Sequence, residues 1–467
     1  MSLASRCALF IDSTPTPFHM CSEASKMLLD AGFEELQETD SWRSKLKQGH
    51  GYFYKRNGST LVAFSVGEAF VAGNGFTIVG AHTDSPVLKL KPSSKKSAHD
   101  YLQLNVETYG GGLWHTWFDR ELTLAGCVIV REKGASAFAK KLVHVKRALL
   151  RVPSLCIHLQ SADERTSFAP NKETHLAPII ALVTKALEEP SADAAASEDT
   201  RHAPELLKLL AAELGCEVAD IMDFELSLCD HQPAQIWGMN GEFLSSPRLD
   251  NQVHCFTSLT ALVQHAKAAD PGGASDVAMI ALFDHEEVGS ESYCGAGSTV
   301  MAEALQRVAM CFGSADVSES EALLLSTRKS FLISADVAHA IHPNWPSKHE
   351  SSHAPKLNGG TVIKTNDNQR YATNSVSGFV VRELARRAGI SVQEFMVKND
   401  CPCGTTIGPI IAAKTGLRTV DVGVPSLSMH SIRETIGAAD VDNSVALFAS
   451  FFKNFRELDN SCSFCST

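Results

Sequence analysis

The 467-residue chain has no Gly-x-x-x-x-Gly-Lys-Ser/Thr phosphate loop, no long block of lysine or arginine and no internal repeat. Against 53 acidic side chains it sets only 42 basic ones, a formal net charge of −11. That sign argues against general binding to nucleic acid or to an anionic membrane, which needs a basic footprint. No apolar run approaches the ~20 residues that cross a bilayer. The stretch Met1 to Phe18 carries Arg6 and is broken by Asp12, Pro15 and Pro17, so it does not read as a signal peptide. The 13 cysteines are odd in number and irregularly spaced, which fits reduced thiols in a cytoplasmic protein and not a secreted disulfide framework. Cys401-Pro-Cys403 and Cys462-x-x-Cys465 lack a second pair at zinc-ribbon spacing and read as free thiols.

What is present is an ordinary globular composition, 44% hydrophobic and 20% charged, long enough for two or three domains. Ser22 to Leu29 has an amphipathic helical pattern with Ser22 as N-cap and Ala31-Gly32 as the stop. Leu61 to Val66 and Phe76 to Val79 are strand-like. Between about residues 100 and 160 the texture turns β-rich, with strands expected at Leu102 to Thr108, Leu122 to Val130 and Leu155 to Leu159. Glu188 to Thr200 is small, acidic and Pro-containing, a solvated surface insertion. Beyond about residue 240, apolar strands at Val277 to Phe283, Phe331 to Ala335 and Leu417 to Val422 alternate with helices such as Gln252 to Ala269 and Ser375 to Ala388. The pattern predicts one α/β domain made from both ends of the chain, residues 1–88 and 238–467, with a β-rich domain, 89–237, inserted between them.

Ligands in open α/β sheets gather beyond the carboxyl ends of the strands, and there the sequence repeatedly places acid/base or metal-binding types. Phe76 to Gly80 runs into His82-Thr83-Asp84, Val277 to Phe283 into Asp284-His285-Glu286-Glu287, and Phe331 to Ala335 into Asp336. The strand from Leu417 to Val422 precedes His430, and Asp250 stands just before a helix. Two histidines and three carboxylates, with a further Glu to spare, match the needs of two divalent ions. Such a pair activates one shared water, and a carboxylate outside the ligand set takes its proton. Within Glu286-Glu287 one residue suits the base and its neighbour a ligand. His82 taken singly is as well explained by a hydrogen-bonded histidine of the core; Asp84, two residues on, is placed to orient its imidazole.

Long motifs in a fixed order make the likeness specific. Asn74 to Phe76, Gly80 to Pro86, Thr108 to Gly112, Trp117 to Arg120, Pro247 to Asn251, Glu286 to Ser290, Gln369 to Asn374, Cys403 to Pro409 and Ser428 to Glu434 together resemble the aspartyl aminopeptidase family over nearly the whole chain. The resemblance implies a mixed-sheet, phosphorylase/hydrolase-like metallopeptidase domain with an inserted, mostly β dimerisation domain. It implies two divalent ions per subunit, zinc first, with cobalt or manganese as alternatives in one site. One ion is then held by His82, Asp250 and Asp336 and the other by Asp250, Glu287 and His430, with Asp250 as bridge. Glu286 is the general base and Asp84 supports His82. The implied activity removes an unblocked N-terminal Asp or Glu from short peptides in the cytoplasm. Lys364 occupies the position of the family's specificity lysine, and Tyr371 lines the same pocket.

His158, read locally as a structural histidine on an alternating strand, becomes by the resemblance a residue delivered into a neighbouring subunit's active site. There it assists substrate binding and the tetrahedral intermediate. The resemblance also implies tetrahedral dodecamers built from dimers, with Gly110 to Gly112 and its flanking aromatics serving packing and assembly. His285 stands where the family usually has Asn, and Tyr293-Cys294 replace smaller or polar residues. His285 is placed to modify the pKa of the base or to bind a stray metal ion. His339 and His342 read as structural, since ligands already suffice. Two rivals remain: a broader-specificity amidase of the same clan, and a non-catalytic, metal-stabilised scaffold.

Overall fold

Val277–Phe283 is a strand with every residue buried, as a continuous apolar run inside a sheet covered on both faces requires. In the computed structural model it pairs in parallel with Phe76–His82, which pairs in parallel with Phe331–Ala335, itself parallel to Arg418–Gly423. These four form the centre of a nine-stranded mixed sheet. Thr60–Val66 and Gly51–Arg56 extend one side antiparallel, and Thr361–Lys364 joins the other side antiparallel to Arg418–Gly423.

The two-residue period sorts these strands onto two cores. Val79, Ala81, Ala278, Ile280 and Leu282 face the helices Leu3–Ser13, Leu249–Lys267 and Ala438–Ser461. Phe76, Ile78, Met279, Ala281 and Phe283 face Val300–Cys311 and Ile407–Thr415. Phe331 packs edge-on against Phe451 and tilted against Phe455 of the C-terminal helix, with ring centroids 6.0 and 5.2 Å apart.

The structure describes residues 1–132, 137–183, 201–268, 273–313 and 317–463. The segment Glu188 to Thr200, Ala269 and Cys465 lie outside them. The described residues fall into two compact units. One comprises residues 1–85, 234–429 and 434–467 and carries the nine-stranded sheet. The other comprises residues 86–233 with 430–433, so it reclaims four residues from the far end of the chain. Its six-stranded sheet encloses Leu104, Leu124, Val128, Leu226 and Leu228, together with Leu206 and Leu210 of the helix Pro204–Leu214. Within this unit Arg433 Nη1 lies 3.0 Å from Asp230 Oδ2, which also binds Arg120 Nη2 at 2.6 Å.

Local expectations fail in three places. A helix, Leu3–Ser13, occupies the stretch read only as a short apolar run, capped by the Ser2 hydroxyl on the Ser5 amide. The next helix begins at Pro17, five residues before Ser22; proline at the first helical position costs no hydrogen bond and has a helical φ already. Leu155 to Leu159 is no strand. Leu159 N donates to Cys156 O and Gln160 N to Ile157 O, closing a 3₁₀ turn over Ile157–Leu159. The Gln160 side chain holds Leu155 O at 2.9 Å, so these backbone groups are met locally and not by a sheet ladder.

Candidate metal centre

Three of the central strands deliver their carboxyl ends to one edge of the sheet, and the candidate residues sit there. His82 closes Phe76–His82, Asp336 follows Phe331–Ala335, and Glu286 and Glu287 lie in a 3₁₀ turn just past Val277–Phe283. Asp250 stands at the start of Leu249–Lys267, where its backbone is still non-helical. His82 is buried, with its Nδ1 3.0 Å from the Asp84 carbonyl oxygen and its Nε2 3.2 Å from Asp250 Oδ1. The same Nε2 lies 3.9 Å from Glu286 Oε2 and 4.0 Å from Asp336 Oδ1.

The donor set fits divalent cations. An Nδ1–H bound to a carbonyl leaves Nε2 as the ligand atom, the usual arrangement of a metal-binding imidazole. Two ligand atoms ~2.0–2.2 Å from one zinc sit roughly 3.2–3.6 Å apart, close to the spacing around Nε2. By proximity the side chains form two sets, His82 with Glu286 and Asp336, and His82 with Asp250 and Glu287, each with ligand atoms within 4.8 Å of one another. His82 is common to both, whereas the sequence expectation made Asp250 the shared residue.

Electrostatics point the same way. Burial opposes an imidazolium at His82, yet the surrounding carboxylates, Glu286 and Asp250 foremost, hold its pKa well above the ordinary value. Burial pushes Glu286 up to about 8; His82 lowers it, and Asp336, Asp84 and Asp250 push it further up. Burial also raises Asp336, with Lys364 acting against the shift. A cation among these groups replaces like-charge repulsion by attraction.

Asp84 has a clear mechanical part. Its two carboxylate oxygens accept the Glu286 and Glu287 backbone amides, each at 3.1 Å, fixing the turn that carries both glutamates. Lys364 ends the strand Thr361–Lys364 and is 2% exposed. Its Nζ lies 3.2 Å from Val337 O, 4.0 Å from Asp336 Oδ2 and 5.0 Å from the centre of the Tyr371 ring. Tyr371 is itself buried, with its hydroxyl raised by desolvation first and then by Cys403.

His430 and His158 belong to the second unit. His430 has a positive φ of 64° and its Nδ1 faces Gly111 O at 3.0 Å, while its own carbonyl accepts Leu113 N. That is again the Nδ1-to-carbonyl pattern that presents Nε2 as a ligand atom. His158 lies exposed on the 3₁₀ turn and not on a strand, which corrects its local reading. His339 packs edge-on against Phe395, and the His342 ring against Trp345. Cys401 and Cys403 are free thiols.

Sequence reasoning gave no role to Glu434, Asn251 or His254. Glu434 Oε2 accepts the Asp250 amide at 2.7 Å. Asn251 Nδ2 donates to Ala335 O, its Oδ1 meets His254 Nδ1 at 2.6 Å, and His254 Nε2 accepts Val424 N. The chain of bonds ties the neighbours of Asp250 and Asp336 to the end of Arg418–Gly423. It needs a neutral ring, and burial, followed by Lys364, lowers the His254 pKa to about 3. In sequence Asn251 and His254 were marked by standing close to Asp250, and Glu434 by closing the Ser428 to Glu434 motif; a fully buried Asn or His is not otherwise distinguishable from an exposed one. Changing His254 to Phe strands two buried polar groups, at ~1–3 kcal/mol each. Urea unfolding is expected to show a loss of roughly 2–6 kcal/mol, and dialysis a weaker hold on metal; unchanged values for both would refute the role given to this network.

A buried histidine–carboxylate cluster at the carboxyl edge of a parallel sheet, beside a buried lysine, defines a metallohydrolase centre on an α/β scaffold. The family model of aminopeptidase I zinc metalloproteases, M18, matches residues 10–452. The probable aspartyl aminopeptidase of Ricinus communis is 48% identical over 97% of this chain and 95% of its own. A cryo-EM structure of the Ape4 and Nbr1 complex superposes with a TM-score of 0.93 at 44% identity, covering 98% of this chain and 87% of that one. The S. cerevisiae mApe1 dodecamer does so with a TM-score of 0.87 at 31% identity, covering 98% of both. The chain belongs to the M18 family of zinc metalloproteases. It is an enzyme, a metalloaminopeptidase whose chemistry uses a divalent metal.

Proposed function

We propose that this enzyme removes unblocked N-terminal Asp or Glu from short peptides in the cytoplasm, with two divalent ions held by His82, Asp250, Glu287, Asp336 and His430. The observation that carries the specificity is Lys364, a buried ammonium 4.0 Å from Asp336 and therefore beside the candidate centre. A buried cation there is suited to the carboxylate of an acidic first residue. When bound, the ions activate the attacking water and polarise the scissile carbonyl. Glu286 takes a proton from the water as its oxygen bonds to the carbonyl carbon. It returns that proton to the departing amine as the C–N bond breaks. Asp84 keeps Glu286 and Glu287 in register through their amides.

In this reading the 86–233 unit builds dimers, and His158 of one copy completes the substrate site of another. The exposure of Leu155, Ile157 and Leu159 around it supports that role. A dodecamer is proposed by analogy with the mApe1 structure. No helix among the described residues is long and apolar enough to cross a membrane.

The test is a panel of Asp-, Glu-, Leu- and Arg-terminal dipeptides with N-acetyl-Asp peptide. The free Asp and Glu peptides are expected to be cleaved at least ~10²-fold faster than the others. Chelation should abolish that cleavage and lower the melting temperature, because an ion that binds only the folded chain stabilises it. Equal turnover of Leu peptides would remove the acidic specificity.

A further inference from the structure

Past the strand Val277–Phe283 the chain builds a second cluster that the peptidase reading does not use. Asp284 and Cys294 are buried, and the His285 side chain between them is 25% exposed. His285 Nδ1 lies 3.5 Å from Cys294 Sγ, while Asp284 Oδ2 stands 3.7 Å from the other ring nitrogen, Nε2; one ion takes only one of the two nitrogens. Each of the three brings one ligand atom within 4.8 Å of the other two. Among the described residues the two His82 sets contain no cysteine, so this is a chemically different donor set.

We propose that Asp284, His285 and Cys294 form a separate, thiolate-containing site for a zinc-class divalent cation. A tetrahedral zinc with Zn–S of ~2.3 Å and Zn–N of ~2.0–2.1 Å holds sulfur and nitrogen roughly 3.6 Å apart, close to the spacing found here. The segment is also preset. The Thr60 hydroxyl accepts the Asp284 amide at 2.9 Å and donates to Cys294 O at 2.7 Å, so one side chain clamps both ends of the loop. Ser292 Oγ, 2.8 Å from His285 Nδ1 and 3.7 Å from Cys294 Sγ, accepts the Gly295 amide and braces the interior. The exposed part of the His285 side chain gives a cation its way in, and imidazole, carboxylate and thiolate together suit zinc, cadmium or cobalt. Because Glu286 and Glu287 lie within the same loop, occupation of this site fixes the segment that carries them.

The experiment uses the full-length enzyme with its catalytic metal in place and adds Cd²⁺ as the probe. A thiolate-to-cadmium charge-transfer band in the ultraviolet is expected to saturate at one further ion per chain. It should disappear in Cys294→Ser and persist in a variant of the exposed Cys156, Cys156→Ser. Weakening of Cd²⁺ binding by at least ~10-fold is expected in His285→Gln, through loss of one of three ligands. Cys294→Ser should keep basal peptide hydrolysis; if it fails to fold, the partly exposed His285→Gln carries the test. No band in the folded wild-type enzyme, an undiminished band in Cys294→Ser, or unchanged binding in His285→Gln overturns the proposal. The readout is spectroscopic and does not depend on which peptides are cleaved.

Discussion

Replacing Glu286 by glutamine is expected to lower kcat by roughly 10²–10⁴-fold, the usual worth of a positioned general base. KM and the bound metal should change little. The backbone amide of Glu286 donates to Asp84 and not the side chain, so the turn carrying Glu287 survives the exchange. The amide of glutamine is nearly isosteric with the carboxylate but cannot accept a proton from water at neutral pH. Stability should therefore not fall, since glutamine replaces a carboxyl group whose ionised form is opposed first by burial and then by Asp336, Asp84 and Asp250, which together hold Glu286 up at about 8. Steady-state kinetics with metal analysis on the same sample decides it. Turnover within tenfold of wild type would assign the proton transfer to another group, and loss of metal together with turnover would make Glu286 a ligand. The second outcome has a structural basis, because Glu286 groups with His82 and Asp336 by distance.

The candidate site was legible wherever its residues follow an apolar strand. His82, Asp336 and the Glu286-Glu287 pair are read directly from runs such as Val277–Phe283, because a parallel sheet buries its strands on both faces and leaves chemistry only at their ends. The helix Ser375–Ala388 was equally legible, with an Asn374 capping box and Gly389 in the left-handed conformation after it. Leu155 to Leu159 was not, since alternating apolar residues look the same whether a neighbouring strand accepts them or a turn leaves them exposed. Nor was the partition of His430, one of four residues from near the C-terminus that group with residues 86–233. That grouping rests on contacts hundreds of positions apart, such as His430 Nδ1 to Gly111 O and Arg433 to Asp230, which no local pattern encodes. The glycine run was read as packing, and Gly112 does fit that, since a Cβ there would overlap the Trp114 ring. Its neighbour Gly111 instead holds a candidate ligand.

Lys364 shows what burial adds to a sequence that marks only a lysine. Read by itself it is an ordinary exposed residue; in the fold it is 2% exposed and in register with Asp421 on the antiparallel neighbour. Asp421 is fully buried, accepts the Thr406 hydroxyl and the Ala372 amide at 2.6 Å each, and is raised by desolvation, with Lys364 opposing the shift. One ammonium thus faces two buried carboxylates, Asp336 and Asp421. Exchange of Lys364 for methionine is expected to cost ~3–5 kcal/mol of stability, because both carboxylates lose their compensating charge. For Asp and Glu peptides kcat/KM should fall by roughly 10²–10³-fold, the effect of deleting one partner of a buried charge pair worth about 3–4 kcal/mol. The ratio of Asp to Leu turnover separates two roles that a simple loss of activity would confuse. If Lys364 binds the substrate carboxylate, the ratio collapses toward one while Leu peptides are spared. If it only holds Asp336 in place, both substrates decline together and the ratio stands. Arginine is not expected to rescue either function, because its wider, planar fork does not fit a space shaped by Val337 O and the Tyr371 ring around a compact ammonium.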